Sequence, residues 1–122
     1  MYLGLNCNKH TFSATVLEPE SGELIYFDAV NFDDDLPHRE TQGGVVRGDK
    51  AGEYGIDPQM LIESLELLLE HLLDSPDIDI SDITHISGSA IASTIFLRQS
   101  FDEVVSSLNP NLAVTDQIRS TY

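Results

Sequence analysis

Apolar positions recur at every second residue near the start of the chain and at every third or fourth residue further on. Tyr2, Leu3, Leu5 and Cys7 form a first short apolar run. Phe12, Ala14 and Val16 then alternate with Thr11, Ser13 and Thr15. That period of two predicts strands, the second of them half-buried. Asn6 to His10 are polar and predict a tight turn between the two runs. Glu18 to Glu23, with Pro19 and Gly22, predict a second turn. Leu24 to Phe32 are rich in aromatic and β-branched residues and predict a third strand. Three strands joined by short turns imply an antiparallel meander.

The pattern then changes. Asp33 to Glu53 is a long polar connection, and Gly43, Gly44, Gly48, Gly52 and Gly55 fall in or just after it. Connections of that length inside a compact domain are usually functional or mobile. Asp57 and Pro58 are a helix cap and a first helical residue. Leu61, Leu65, Leu68, Leu69, Leu72 and Leu73 follow at helical spacing and predict one broad face packed on the sheet. Glu63, Glu66 and Glu70 lie off that face, and the helix should stop near Asp74-Ser75-Pro76. Ile83 to Ser89 predict a strand that runs into a turn of small residues, and Ser93 to Leu97 predict another strand. Ser100 and Glu103 form a capping box for a helix to Leu108, with Phe101, Val104, Val105 and Leu108 as its apolar face. Asn109-Pro110 ends it. Strands mixed with helices over residues 1–122 imply a single α/β domain.

Composition narrows the function classes. Hydrophobic residues make up 41% of 122, enough for a packed core. Twenty-one acidic residues against 6 basic ones give a net charge of −15. That balance opposes nucleic acid and anionic membrane as partners. It also makes a nucleotide harder to hold without Mg²⁺ or local basic groups. The apolar run at Met1–Leu5 is too short for a secretory segment, and no stretch approaches the ~20 apolar residues of a membrane span. A single cysteine, Cys7, allows no internal disulfide and fits a reducing cytoplasm.

Candidate chemistry is sparse. Lys9 in the first turn can meet an anion as a point charge, with Asn8 and His10 as hydrogen-bond donors beside it. The bland alternative is an exposed polar turn. Gly43-Gly44 and Gly52 lack P-loop spacing. His10, His38, His71 and His85 lack metal-ligand spacing. Ser87-Gly88-Ser89 is not a nucleophile elbow. Cys7 in a strand reads as a small hydrophobe. Asp33-Asp34-Asp35 and the acids Asp74, Asp77, Asp79 and Asp82 could invite a cation, but the second group lacks the cation-loop spacing and reads as a solvated face.

One resemblance organises these features. Tyr2-Leu3-Gly4-Leu5, Cys7, Ala14, Val16 and Leu17 resemble the first phosphate-binding hairpin of the FGGY carbohydrate kinases, most closely the xylulokinases. Asn31-Phe32-Asp33 through Arg47 resemble the xylulokinase insertion after the third strand. Ile86-Ser87-Gly88-Ser89 resemble a later family motif, and Leu108-Asn109-Pro110 with Gln117-Ile118 resemble a further one more loosely. The resemblance implies a ribonuclease H-like (actin-like ATPase) domain, a mixed sheet beginning with the meander and flanked by helices. It implies the N-terminal portion of an enzyme that phosphorylates a ketopentose, D-xylulose above others, with Mg-ATP.

By motif position, Asn6, Asn8, Lys9 and His10 stand at the phosphate- and nucleotide-binding turn. Asn6 replaces the family's metal-associated Asp, and Asn8, Lys9 and His10 replace Ser, Thr and Gln. Ala92 and Ser93 stand in the sugar-binding motif, Ser93 in place of the sugar-contacting His. The family's catalytic base and adenosine-binding segments lie beyond residue 122, so neither a catalytic residue nor a metal ligand is assigned, and phosphorylation by this chain alone is not expected. The expected partners are the remainder of a sugar kinase or a second copy in a homo-oligomer, with sugar and nucleotide as ligands. The competing readings are a non-catalytic binding or assembly module and one subunit of a split kinase.

Overall fold

The structure is a computed structural model that describes residues 1–90 and 98–119. Strands β1 (Tyr2–Cys7), β2 (Thr11–Leu17) and β3 (Leu24–Asn31) form the expected antiparallel meander. A later strand, β6 (His85–Ala90), joins the other edge of β1 in parallel, which gives the order β3-β2-β1-β6. β1 is therefore paired along both edges. The start of that pairing is fixed by the first residue: the Met1 amino group donates to the Asp82 carbonyl at 2.7 Å, and Thr84 N–H donates to the Met1 carbonyl at 3.0 Å. The sheet is mixed and accompanied by helices, an α/β arrangement consistent with an actin-like or ribonuclease H-like domain.

The third strand ends one residue early. The Asn31 side chain accepts from Asp33 N–H and Asp34 N–H and caps a single helical turn, α1 (Phe32–Asp35), with Phe32 buried beneath it. Local side-chain capping wins here over the β propensity of Phe32. The connection that follows is also more ordered than its composition suggests. It holds a 3-10 turn at Pro37–Arg39 and a two-residue hairpin, β4 (Val46–Arg47) with β5 (Tyr54–Gly55).

Helix α2 (Pro58–Asp74) starts at the expected cap, where the Asp57 carboxylate accepts from Gln59 N–H at 2.9 Å. Its buried stripe is Met60, Ser64, Leu68 and Leu72, spaced four apart. This stripe meets Leu3, Ala14, Val16 and Val30 of the sheet in one core. Ser64 is fully buried without penalty, because its hydroxyl donates to the Met60 carbonyl at 2.7 Å. Leu69 and Leu73 were expected in the same face but lie at its margin, Leu73 being 59% exposed. A helix packed on one sheet face buries only a limited stripe, so leucines beyond about 100° of arc stay wet.

Past α2, a 3-10 turn at Ile80–Asp82 leads into β6. Helix α3 (Phe101–Ser107) carries the expected capping box of Ser100 and Glu103. Of its apolar face only Val104 is buried, and Phe101 is 69% exposed. A second short helix, α4 (Val114–Ile118), was not expected. It is too short for a periodic signal and is held from outside: Glu66 of α2 accepts from Val114 N–H at 2.5 Å and from the Thr115 hydroxyl at 3.3 Å. The strand expected at Ser93–Leu97 lies outside the described residues. No helix among the described residues is long and apolar enough to cross a membrane.

The buried stripe gives a direct check. Leu68→Ala should cost ~2–5 kcal/mol of unfolding free energy in a urea titration, because it opens a cavity in the core. Leu73→Ala should stay within about 0.5 kcal/mol. Equal losses would refute this placement of the helix.

Candidate functional site

The residues read as phosphate-facing are brought together at the carboxyl ends of the parallel pair β1 and β6, which is where open α/β sheets bind ligands. The sheet divides them. Register places Leu3, Leu5 and Cys7 on the face that α2 covers, with Ile86, Gly88 and Ala90 beside them. Asn6 therefore projects from the opposite face, level with Ser13 and Ser89. That face is rich in hydroxyls and small residues: Gly4, Ser13, Thr15, Ser87 and Ser89. The Ser89 hydroxyl donates to Asn6 Oδ1 at 2.7 Å. Asn6 thus carries a neutral oxygen already engaged across two parallel strands.

Asn8 builds the turn. Its Oδ1 accepts from His10 N–H at 2.8 Å and Thr11 N–H at 2.9 Å, and its Nδ2 donates to the Thr11 hydroxyl at 2.8 Å. The side chain replaces backbone bonds that a looser turn would leave to water. Lys9 and His10 are exposed at the tip. No carboxylate lies within 4 Å of the Lys9 ammonium among the described residues. Ala92 and Ser93 lie outside the described residues. Ala90, at the end of β6, is the nearest described neighbour in sequence on that side.

The long connection docks on this turn, which the sequence did not reveal. Asp33 accepts from the Thr41 hydroxyl at 2.6 Å, Gly43 N–H at 2.7 Å and Gly44 N–H at 3.1 Å. The Thr41 hydroxyl first, and then the two glycine N–H groups, hold the Asp33 carboxyl below its usual range, and the nearby His10 imidazole adds to the effect. Gly44 has φ +76°, and a side chain there would place its Cβ 1.7 Å from the Lys9 carbonyl oxygen. Only glycine allows this approach. Asp33, a residue able to invite a cation on sequence grounds, is instead held by these three donors. The available signal was the Thr41-x-Gly43-Gly44 sequence, whose turn exposes adjacent N–H groups.

A second anchor holds the same connection to α2. Arg39 Nε donates to Glu63 at 2.6 Å, and its Nη1 reaches Gln59 at 3.3 Å and Asp57 at 3.4 Å. His38 Nε2 lies 2.8 Å from the other Glu63 oxygen. Burial pushes the Glu63 carboxyl up, but the Arg39 and His38 bonds outweigh it and leave the group below its usual range. The Arg119 guanidinium also reaches Gln59 Oε1, at 2.9 Å.

Between the turn, α1 and the start of α2 lies a cleft of about 140 Å³. Its walls are Cys7, Phe12, Phe32, Ile56, Leu61 and Ala90, with Asn8, Lys9 and Gly44 at its edge. Burial pushes the Cys7 thiol up, which keeps it unreactive. Among the described residues, no group of three or more His, Cys, Asp or Glu is placed to hold a metal. At this turn the Asn6 side chain is neutral and engaged with Ser89, and the Asp33 carboxylate already accepts three hydrogen bonds.

No family model matches the chain. It is similar to Xylulose kinase 2 of Arabidopsis thaliana, at 25% identity over 124 aligned residues that cover the whole chain and 22% of that protein. It is also similar to the xylulose kinase of Rattus norvegicus, at 31% identity over 101 residues, 81% of this chain and 18% of that protein. The chain spans about a fifth of the length of these curated relatives. The similarity supports a distant xylulose kinase-like relationship.

Two outcomes follow from the docked connection. Gly44→Ala should lower unfolding free energy by at least ~2 kcal/mol, since strain and a backbone clash combine. Gly52→Ala, at φ +81° but with open space around it, should cost about 1 kcal/mol. A depressed folded-state pKa stabilises above the unfolded value and loses that stabilisation as pH falls through the folded value. The Gly43 and Gly44 amide shifts should therefore titrate together with an inflection below the ordinary Asp pKa of about 3.9. Asp33→Asn should remove that inflection; a surviving one would assign it to another group.

Proposed function

We propose that this chain is part of a sugar kinase of the xylulose kinase type, and that the Asn6–His10 segment faces the transferred phosphate. In the assembled enzyme the reaction is ATP-dependent phosphorylation of a ketopentose, D-xylulose above others. The observation that carries the reading is the similarity to two xylulose kinases across most or all of the chain. The placement of the turn at the carboxyl ends of β1 and β6 agrees with it.

Phosphoryl transfer rests on positioning and on stabilising charge. Lys9 is the group here that meets a phosphate, as an exposed ammonium without a competing carboxylate. Asn8 keeps the turn in shape, and the Asp33–Gly44 dock keeps Lys9 in place from behind. The Asn6–Ser89 pair offers a polar floor on the open face of the sheet. Nucleotide arrives as its Mg²⁺ complex, the sugar lies toward Ala92 and Ser93, and the catalytic base and adenosine site come from the rest of the kinase. That remainder, in the same or a partner chain, is the proposed partner; a second copy of this chain is the alternative.

A second reading has its own observation. Asn6 cannot supply the negative charge of a carboxylate, and its oxygen is already bonded to Ser89. A domain that kept the fold and gave up the chemistry, as a binding or assembly module, would look like this.

Thermal unfolding with MgADP, MgATP and D-xylulose separates the two. A ligand at ~100 times its Kd adds about 2.7 kcal/mol. The kinase reading expects a nucleotide-dependent rise in Tm that Lys9→Ala removes. No rise with any of the three would sink the phosphate-facing role and leave the assembly module, to be checked by sedimentation.

A further inference from the structure

The cleft beneath the turn does not suit a sugar. Its walls are the side chains of Cys7, Phe12, Phe32, Ile56, Leu61 and Ala90, which return no hydrogen bonds to hydroxyl groups. Its volume, about 140 Å³, is that of an apolar cavity able to hold a six-membered carbon ring. Lys9 lies at its edge, exposed and without a carboxylate within 4 Å among the described residues. The edge is held rigid: the Gly44 backbone sits against the Lys9 carbonyl, and Asn8 fixes the turn with three hydrogen bonds.

We infer that this cleft and Lys9 together form a binding site for a compact apolar ring that carries an anionic group, a phosphate monoester of an aromatic or alicyclic alcohol. The ring occupies the cleft and the phosphate meets the Lys9 ammonium. The site is set apart from the sugar position by chemistry, because the walls reject polyhydroxylated compounds. It is set apart from Asn6 and Ser89 by the sheet, because those project from the other face. The inference shares with the kinase reading only the role of Lys9 as an anion contact.

Two-dimensional NMR titration of the whole chain with phenyl phosphate and, separately, with inorganic phosphate tests it. Phenyl phosphate should bind at least tenfold more tightly and shift the signals of Cys7, Phe12 and Ala90. Lys9→Ala should weaken phenyl phosphate at least fivefold. Ala90→Leu, which fills the cleft, should reduce its affinity to that of inorganic phosphate, and Leu61→Phe serves the same purpose if the first variant unfolds. Equal binding of the two probes to the unaltered chain, or no binding of either, would overturn the ring subsite. Binding of phenyl phosphate that is indifferent to Lys9→Ala would overturn the two-part site. Neither probe contains nucleotide or sugar, so the result stands whether or not MgATP shifts the Tm.

Discussion

One helix face holds this structure together. Met60, Ser64, Leu68 and Leu72 of α2 press on Leu3, Ala14, Val16 and Val30, and the apolar surface removed from water there is the main stabilising term. Several segments outside the sheet are then tied to other flanks of the same helix. Arg39 reaches Asp57, Gln59 and Glu63; α4 hangs on Glu66; Arg119 reaches Gln59. Near its far end, His71 Nδ1 lies 2.6 Å from Asp28 of β3 and fixes the helix along the sheet. If α2 leaves the sheet, each of these polar contacts loses its geometry, so they share the helix's stability rather than add to it independently.

The candidate site depends on a different constraint, a close approach between two backbone segments. Gly44 meets the Lys9 carbonyl where a side chain would collide, and Asp33 stitches the glycine N–H groups from behind. The long connection is thereby part of the wall of the turn instead of a separate loop. This placement has a chemical consequence. Asp33 already accepts three structural hydrogen bonds, while Lys9 stands exposed at the tip with no carboxylate within 4 Å among the described residues.

The sheet itself sorts the functional possibilities. Residues adjacent in sequence, Asn6 and Cys7, point to opposite faces because side chains alternate along a strand. Asn6 joins Ser89 on a polar face, while Cys7 helps line an apolar cleft. A motif read along the chain treats these as one site. In space they are two surfaces that meet only at the Asn8–His10 turn.

Local rules acting over a few residues determined much of this in the sequence alone. The period of two marked β1 and β2, the Asp57-Pro58 cap set the start of α2, and Ser100 with Glu103 set the start of α3. Of the turn expected at Asn6 to His10, the structure keeps Asn8 to His10, because a polar break between alternating runs admits few other readings, while Asn6 and Cys7 lie within β1, paired on both edges. Tertiary structure decided what depends on distant partners. The sequence could not show that Asp33 would bind Gly43 and Gly44 ten and eleven residues on, or that Gly44 would touch Lys9 from 35 positions away. It could not choose which leucines of α2 are buried, because a helix's apolar arc is cut to width by the surface it lies on. Nor could it hold α4, whose five residues fold where Glu66 accepts their first N–H. The Glu66 contacts exist only once α2 is seated, and no local pattern encodes any of these long-range pairings.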